Sequence, residues 1–186
     1  SAHIIVSAIE HPAVINKCIQ LKKRGCDVDY IKTDKNGIIN TEDLISKIRD
    51  DTKLISVMLV NNEIGTIQPV KNVCNIAAEY AIPVHTDAVA AYGHIPVNVK
   101  ELGVDYLSVS AHKIGGAKGT GFLYAKAANI NPYICGGGQE KGKRSGTENV
   151  AGIMGLAKAA EIAKEKLDSR IEEENITKNY ITNRIL

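Results

Sequence analysis

KLISVMLVNNEIGTIQPVKNVCNIAAEYAIPVHTDAVA (Lys53–Ala90) decides the fold. Lys53–Val60 is an apolar, β-rich run and reads as a buried strand. The polar turn Asn61-Asn62-Glu63-Ile64-Gly65 comes next. Val70–Tyr80 then carries apolar residues at helical spacing, and Ile82–His85 reads as a short strand ahead of Thr86-Asp87-Ala88. Strand, helix and strand in close succession make a βαβ unit, two parallel strands joined by a helix crossing one face of the sheet.

The same alternation extends outward on both sides. His3–Val6 reads as a strand, and His11–Arg24 as a helix with Pro12 in its first turn and Gly25 as its stop. Cys26–Lys32 reads as a strand ending in the turn Asp34-Lys35-Asn36-Gly37, and Thr41 as the cap of a helix running to Arg49. Downstream, Tyr106–Ser110 and Gly121–Ala125 read as strands separated by a Gly-rich loop. Glu148–Lys166 is a long helical pattern, and the tail to Leu186 stays helix-like through Glu172-Glu173-Glu174. The expected class is α/β, a mainly parallel sheet with helices on both faces. Right-handed crossovers bring the carboxyl ends of its strands to one edge, where open α/β sheets bind ligands.

Composition narrows the function. The 186 residues hold 23 Lys+Arg against 21 Asp+Glu, a formal charge of +2, which argues against a nucleic-acid surface. Trp is absent and Phe occurs once, so a base-stacking platform is not expected either. No apolar run reaches membrane-span length and no signal peptide opens the chain. Cys18, Cys26, Cys74 and Cys135 form no C-x-x-C pair and have no His at metal-finger spacing. They read as reduced, mostly packed thiols of a cytoplasmic protein that holds no metal. Nine of the sixteen glycines fall between Gly115 and Gly146, a density expected where backbone approaches a ligand.

The residues just past the strands carry the chemistry. They are Asn61 and Asn62 after Val60, Asp87 after Thr86, and His112 and Lys113 after Ser110. Each has a plainer reading, since loop Asn and Asp make turns and a loop lysine is usually a solvated charge. Together they match the needs of pyridoxal phosphate. A lysine between low-dielectric walls becomes a usable nucleophilic amine, and a carboxylate keeps a pyridine nitrogen protonated. Ser110 and His112 beside the lysine suit a phosphate. The rival reading is a nucleotide-binding P-loop at Gly137-Gly138-Gln139-Glu140-Lys141-Gly142-Lys143-Arg144. It fails because Arg144 stands where a Mg²⁺-binding hydroxyl is needed and no buried strand leads into Gly137.

Four segments give the sequence a family likeness: SAIEHPAV (Ser7–Val14), VNNEIGTIQPV (Val60–Val70), HTDAVAAYGHIPV (His85–Val97) with VDYLSVSAHKIGG (Val104–Gly116), and GGGQEKGKRSGTENV (Gly136–Val150). The chain resembles the cysteine desulfurases of the NifS/IscS type, fold-type I pyridoxal-phosphate enzymes of the class V aminotransferase family. The resemblance implies that Lys113 carries the cofactor, Asp87 pairs with its pyridine nitrogen, and His11 stacks on the ring and assists proton transfer. It implies further that Asn62 lies near the phenolic oxygen, that Ser110 and His112 hold the phosphate, and that Thr147 reaches the phosphate in the other subunit of a homodimer. The implied reaction takes L-cysteine to L-alanine and leaves a persulfide for sulfur-acceptor proteins, in iron–sulfur cluster assembly or tRNA thiolation. A selenocysteine lyase, an aminotransferase of the same class, or a non-catalytic fragment or paralogue are the alternatives.

The departures from the family pattern are specific. Ala90 stands where the family usually has Gln, Leu59 where it often has His, and Gly115 and Ala117 alter the lysine loop. A looser hold on the cofactor is expected. Family members are longer than this chain, so residues 1–186 read as the central part of the cofactor-binding large domain, with 148–186 a helical tail toward a C-terminal domain. None of the four cysteines matches the family's catalytic cysteine, so the chain alone is expected to be inactive.

Overall fold

The computed structural model describes residues 2–127 and 130–185. Its strands are β1 (His3–Ser7), β2 (Asp27–Ile31), β3 (Thr52–Ser56), β4 (Val84–Asp87), β5 (Tyr106–Ser110) and β6 (Gly121–Ala125). Its helices are α1 (Pro12–Lys23), α2 (Thr41–Lys47), α3 (Val70–Glu79), α4 (Val99–Leu102), α5 (Val150–Glu165) and α6 (Leu167–Ile185). The strands form one sheet in the order β2-β1-β3-β4-β5-β6. All neighbours are parallel except β5 and β6. Only a short 3₁₀ turn and loop join that last pair, too little chain for a parallel crossover. The reversal brings Gly121 so close to β5 that a Cβ there would collide with the Val109 carbonyl oxygen.

β1 is buried along its whole length because it has neighbours on both sides and helices on both faces. Ile5 packs into the main core with Ile31, Ile55, Leu44 of α2 and Val73 of α3. Val6, pointing the other way, packs with Val28 and with Cys18 of α1. α3 turns Val70, Val73, Cys74 and Ala77 inward at one-turn spacing. α5 buries Gly152, Leu156, Ala159 and Ala163, and its leucine and alanines pack on Ala111 and Ile114 of the 3₁₀ turn after β5. α6 has no buried residue.

Several boundaries move for identifiable reasons. Asn40, rather than Thr41, caps α2, its Oδ1 accepting from the Glu42 and Asp43 N–H groups at 2.8 and 3.0 Å. That helix ends at Lys47, short of Arg49. β4 runs through Asp87 and starts at Val84, because Ile82 still donates its N–H to Ala77 O at 3.0 Å after Ala81 takes φ +53. The regular ladder of β3 stops at Ser56, although Val57 and Leu59 go on donating to the carbonyls of His85 and Asp87. α4 is an element that the apolar pattern does not announce, and α5 starts two residues inside the expected Glu148, capped by Asn149 Oδ1 on Gly152 N at 3.0 Å. Among the described residues no helix is long and apolar enough to cross a membrane.

Candidate functional site

Parallel pairing of β1, β3, β4 and β5 brings the residues at and just past their carboxyl ends to one edge of the sheet. Glu10 and His11 come after β1, Asn61 and Asn62 after β3, Asp87 closes β4, and His112 and Lys113 come after β5.

The register fixes the two central elements. Asp87 lies opposite Ser108, and Ser110 is two residues further along the same face of β5. Asp87 is 8% exposed, and its Oδ1 accepts from Val89 N at 2.9 Å, tying the carboxylate to the turn that leaves the strand. Beyond Ser110 the chain enters a 3₁₀ turn, Ala111–Ile114. Ala111 and Ile114 go inward against α5, which forces His112 and Lys113 outward. Gly115 ends the turn at φ +84, and a Cβ on Gly116 would stand 2.9 Å from that of Ala111. Ser110 Oγ and His112 Nδ1 are 2.9 Å apart. Hydroxyl, imidazole and ammonium groups thus gather beside the end of the strand that neighbours Asp87.

Lys113 is exposed, which corrects the expectation of low-dielectric walls around it. Its place is set by the anchored turn rather than by burial of its own side chain. Cys135, read as a packed thiol, is also exposed, whereas Cys18 and Cys74 are buried and Cys26 is half-buried. Burial pushes the Cys74 thiol up to about 11. The stretch after Gly137 forms a short 3₁₀ turn with Glu140 and Lys141 at positive φ, and among the described residues no strand leads into it.

Glu10 is the residue that sequence reasoning passed over. The residue is 7% exposed, and its carboxyl accepts from the Ser7 hydroxyl at 2.6 Å and from the Met58 N–H, joining the ends of β1 and β3. Its second oxygen, Oε2, is buried without a hydrogen-bond partner. Burial raises its pKa from 4.5 to about 7 against the lowering effect of the two hydrogen bonds, and the Asp87 charge adds to the rise. The available signal was the Ser7-x-x-Glu10 spacing directly after a strand.

Behind Asp87, His85 bridges three strands, with Nδ1 2.8 Å from Ser56 Oγ and Nε2 2.9 Å from Ser108 Oγ. Burial lowers its pKa, with the Asp87 charge acting in the opposite direction. In the loop after β3 the two asparagines divide their tasks. Asn61 is buried, donates to Ile9 O at 2.8 Å and accepts from the Glu63 and Ile64 N–H groups. Asn62 is exposed beside it, its Nδ2 2.8 Å from Glu63 Oε1. His11 is exposed and caps α1, Nδ1 accepting from Ala13 N at 3.2 Å. Thr147 lies exposed in the Gly-rich loop ahead of α5, with no described contact to the strand-end residues.

The side chains at this edge fit pyridoxal phosphate by their chemistry. Asp87 matches a cationic ring nitrogen, the Lys113 amine an aldehyde carbon, and Ser110 with His112 a phosphate. A groove of about 400 Å³ lined by Tyr92, Ile95, Ala163 and Leu167 contains none of them.

Comparison with known proteins gives the site a setting. The family described as Aminotransferase class-V matches residues 1–186. Cysteine desulfurase IscS of Dictyoglomus turgidum is 52% identical over 179 residues, covering 96% of this chain and 45% of that protein. A solved NifS-like protein superposes with a TM-score of 0.88 at 45% identity, covering 91% of this chain and 47% of its own. A structure of SspA in complex with cysteine superposes with a TM-score of 0.84 at 42% identity, covering 87% and 47%. The chain therefore spans about half the length of the relatives it matches.

Proposed function

This chain belongs to the class-V aminotransferase family, and from that premise we propose that it is the central, cofactor-binding part of a cysteine desulfurase. The observation that carries the reading is the pairing of a buried carboxylate, Asp87, with an outward lysine on the turn after the neighbouring strand. The names of its curated relatives and the fit of the strand-end side chains to pyridoxal phosphate support the same conclusion.

Pyridoxal phosphate, when bound, supplies an electron sink for a bond broken at the α-carbon of an amino acid. Lys113 Nζ would be the group that holds it, and the same amine would move a proton at the substrate's α-carbon. Asp87 would pair with the protonated ring nitrogen. Ser110 and His112 would hold the phosphate, His11 would lie against the ring, and Asn62 would serve the phenolic oxygen. The substrate is L-cysteine, whose sulfur passes to an enzyme cysteine thiol, leaving L-alanine and an enzyme persulfide that is handed to sulfur-acceptor proteins for iron–sulfur cluster assembly or tRNA thiolation. Thr147 completes the site of a second copy in a homodimer. The exposed apolar residues Val150, Ile153 and Met154, just past Thr147, support such a contact. The four free thiols agree with a cytoplasmic setting.

Borohydride reduction of the chain with pyridoxal phosphate, then peptide mass spectrometry, tests the assignment. The adduct is expected on Lys113 and absent in Lys113→Ala. Label confined to surface lysines such as Lys22 or Lys141 would overturn it.

A further inference from the structure

His11 reaches the edge on a connection without regular structure of its own: β1 ends at Ser7, and Ala8, Ile9 and Glu10 lead on to α1, which begins at Pro12. The chain leaving β3 nevertheless fixes that connection. Asn61 Nδ2 donates to Ile9 O at 2.8 Å. The Met58 N–H donates to Glu10 Oε1, which also accepts from the Ser7 hydroxyl at 2.6 Å. The two residues ahead of His11 are thus held, one by its carbonyl and the other by its carboxyl. Glu10 and Asn61 are both buried, so water competes little for these bonds. On its other side α1 takes hold of the ring itself, Nδ1 accepting from Ala13 N at 3.2 Å as the helix cap. Among the described residues Nε2 has no hydrogen-bond partner.

We propose that Glu10 and Asn61 are positioning residues for His11: pinned to the chain leaving β3, the Ile9–Glu10 step seats the imidazole at the cap of α1, so that Nδ1 is committed to the helix and Nε2–H is what the ring offers to the site. This inference rests on the cofactor reading for what the ring meets, and on the hydrogen bonds alone for how it is held. In a neutral imidazole one nitrogen donates and the other accepts, and the bond made by one settles the state of the other. A nitrogen that accepts from a backbone N–H carries no hydrogen, so the ring hydrogen sits on Nε2. An exposed cap is a weak bond by itself, and on an untethered connection the ring would trade it for water. Two bonds from one neighbouring loop prevent that, because they fix the direction of the step as well as its place. Asn62 directly follows Asn61, so the bonds that seat His11 also tie it to the other residue read as serving the ring. Supporting groups of this kind hold a site to within about 1 Å, an error that can cost about 10²-fold in rate.

The test reads the ring and its cap directly. Proton–nitrogen-15 spectra of the histidine rings at alkaline pH, with the His11 signals identified by their absence from His11→Gln, should show His11 as the Nε2–H form in the ligand-free chain. Glu10→Ala and Asn61→Ala should shift those signals toward the mixed tautomers of a free histidine. The same variants should speed hydrogen exchange at the Ala13 amide about fivefold relative to the interior of α1. Glu10→Gln keeps an acceptor oxygen for Ser7 and Met58 and should restore both readouts. Should the alanine variants not fold, Ser7→Ala removes one donor to the carboxyl and should move both readouts the same way by less. An Nδ1–H ring in wild type would overturn the inference. So would ring and Ala13 signals that keep their wild-type values in variants that lose stability, the outcome of a merely structural role. With saturating pyridoxal phosphate the His11 ring protons should shift in wild type and Glu10→Gln, and by less in the alanine variants. Borohydride labelling of the same samples separates the two ideas. Label on Lys113 with an unresponsive ring and cap defeats the inference alone. A responsive ring and cap without label on Lys113 upholds the seating of His11 and defeats the cofactor reading.

Discussion

Replacing Glu10 by Gln should change how the stability of this chain depends on pH. The amide keeps an acceptor for Ser7 and Met58 and removes the titration. Between 4.5 and about 7 the folded protein holds a proton on Glu10 that the unfolded chain releases. Stability from this group is therefore full below 4.5 and lost as pH rises through about 7. At about 1.4 kcal/mol per pH unit, the interval amounts to about 3 kcal/mol. His85 acts with the opposite sign. Its pKa is lowered by burial, so the unfolded chain binds the extra proton and stability falls as pH drops below the usual histidine range. The wild-type profile should be shallow where the two overlap, and Glu10→Gln should expose the rising histidine limb. Urea denaturation monitored by circular dichroism from pH 4.5 to 8 measures both chains. The stability difference, variant minus wild type, should grow toward alkaline pH by about 3 kcal/mol. Parallel profiles would refute the reasoning, whatever constant offset separates them.

Three further outcomes rest on local geometry. Asn61→Ala strands the Ile9 carbonyl and two N–H groups and should cost about 2–3 kcal/mol in urea melts, while exposed Asn62→Ala stays within about 0.5; equal effects would show that the loop does not hang on Asn61. Gly155→Ala, on the exposed side of α5 with open space around its added methyl, should stabilise by about 0.5–1 kcal/mol, whereas Gly121→Ala must displace the Val109 carbonyl and should destabilise by about 1–3; thermal melts reporting the same sign for both would contradict the packing. A thiol reagent on the native chain should modify Cys135 first and spare Cys18 and Cys74 until unfolding, and mass spectrometry finding early label on either buried thiol would count against their placement.

What could be read in advance was whatever is local or periodic. The βαβ rhythm depends on neighbours a few residues apart, and so do the strand ends that carry Asp87 and Lys113. The pieces that escaped depend on partners remote in sequence. Glu10 is buried because Met58 supplies its N–H. Asn61 and Asn62 look alike in sequence, and only the Ile9 carbonyl distinguishes the anchor from its exposed neighbour. The Ser56–His85–Ser108 bridge spans three strands. Lys113 was legible as a position but not in its surroundings, because its exposure depends on how Ala111 and Ile114 seat against α5.

The strand order has a consequence for biosynthesis. After β2 and β3 take places on either side of β1, each later strand adds at the same edge in the order in which it leaves the ribosome. Domains emerge amino end first and begin to organise as they do. The edge can therefore be furnished in sequence, with Glu10, then Asn61, then Asp87, and the lysine turn last. A nascent chain halted after Asp87 already possesses the acidic half of the edge and lacks the amine. The amine on which the proposed cofactor reading depends is thus the last of these groups to take its place at the edge.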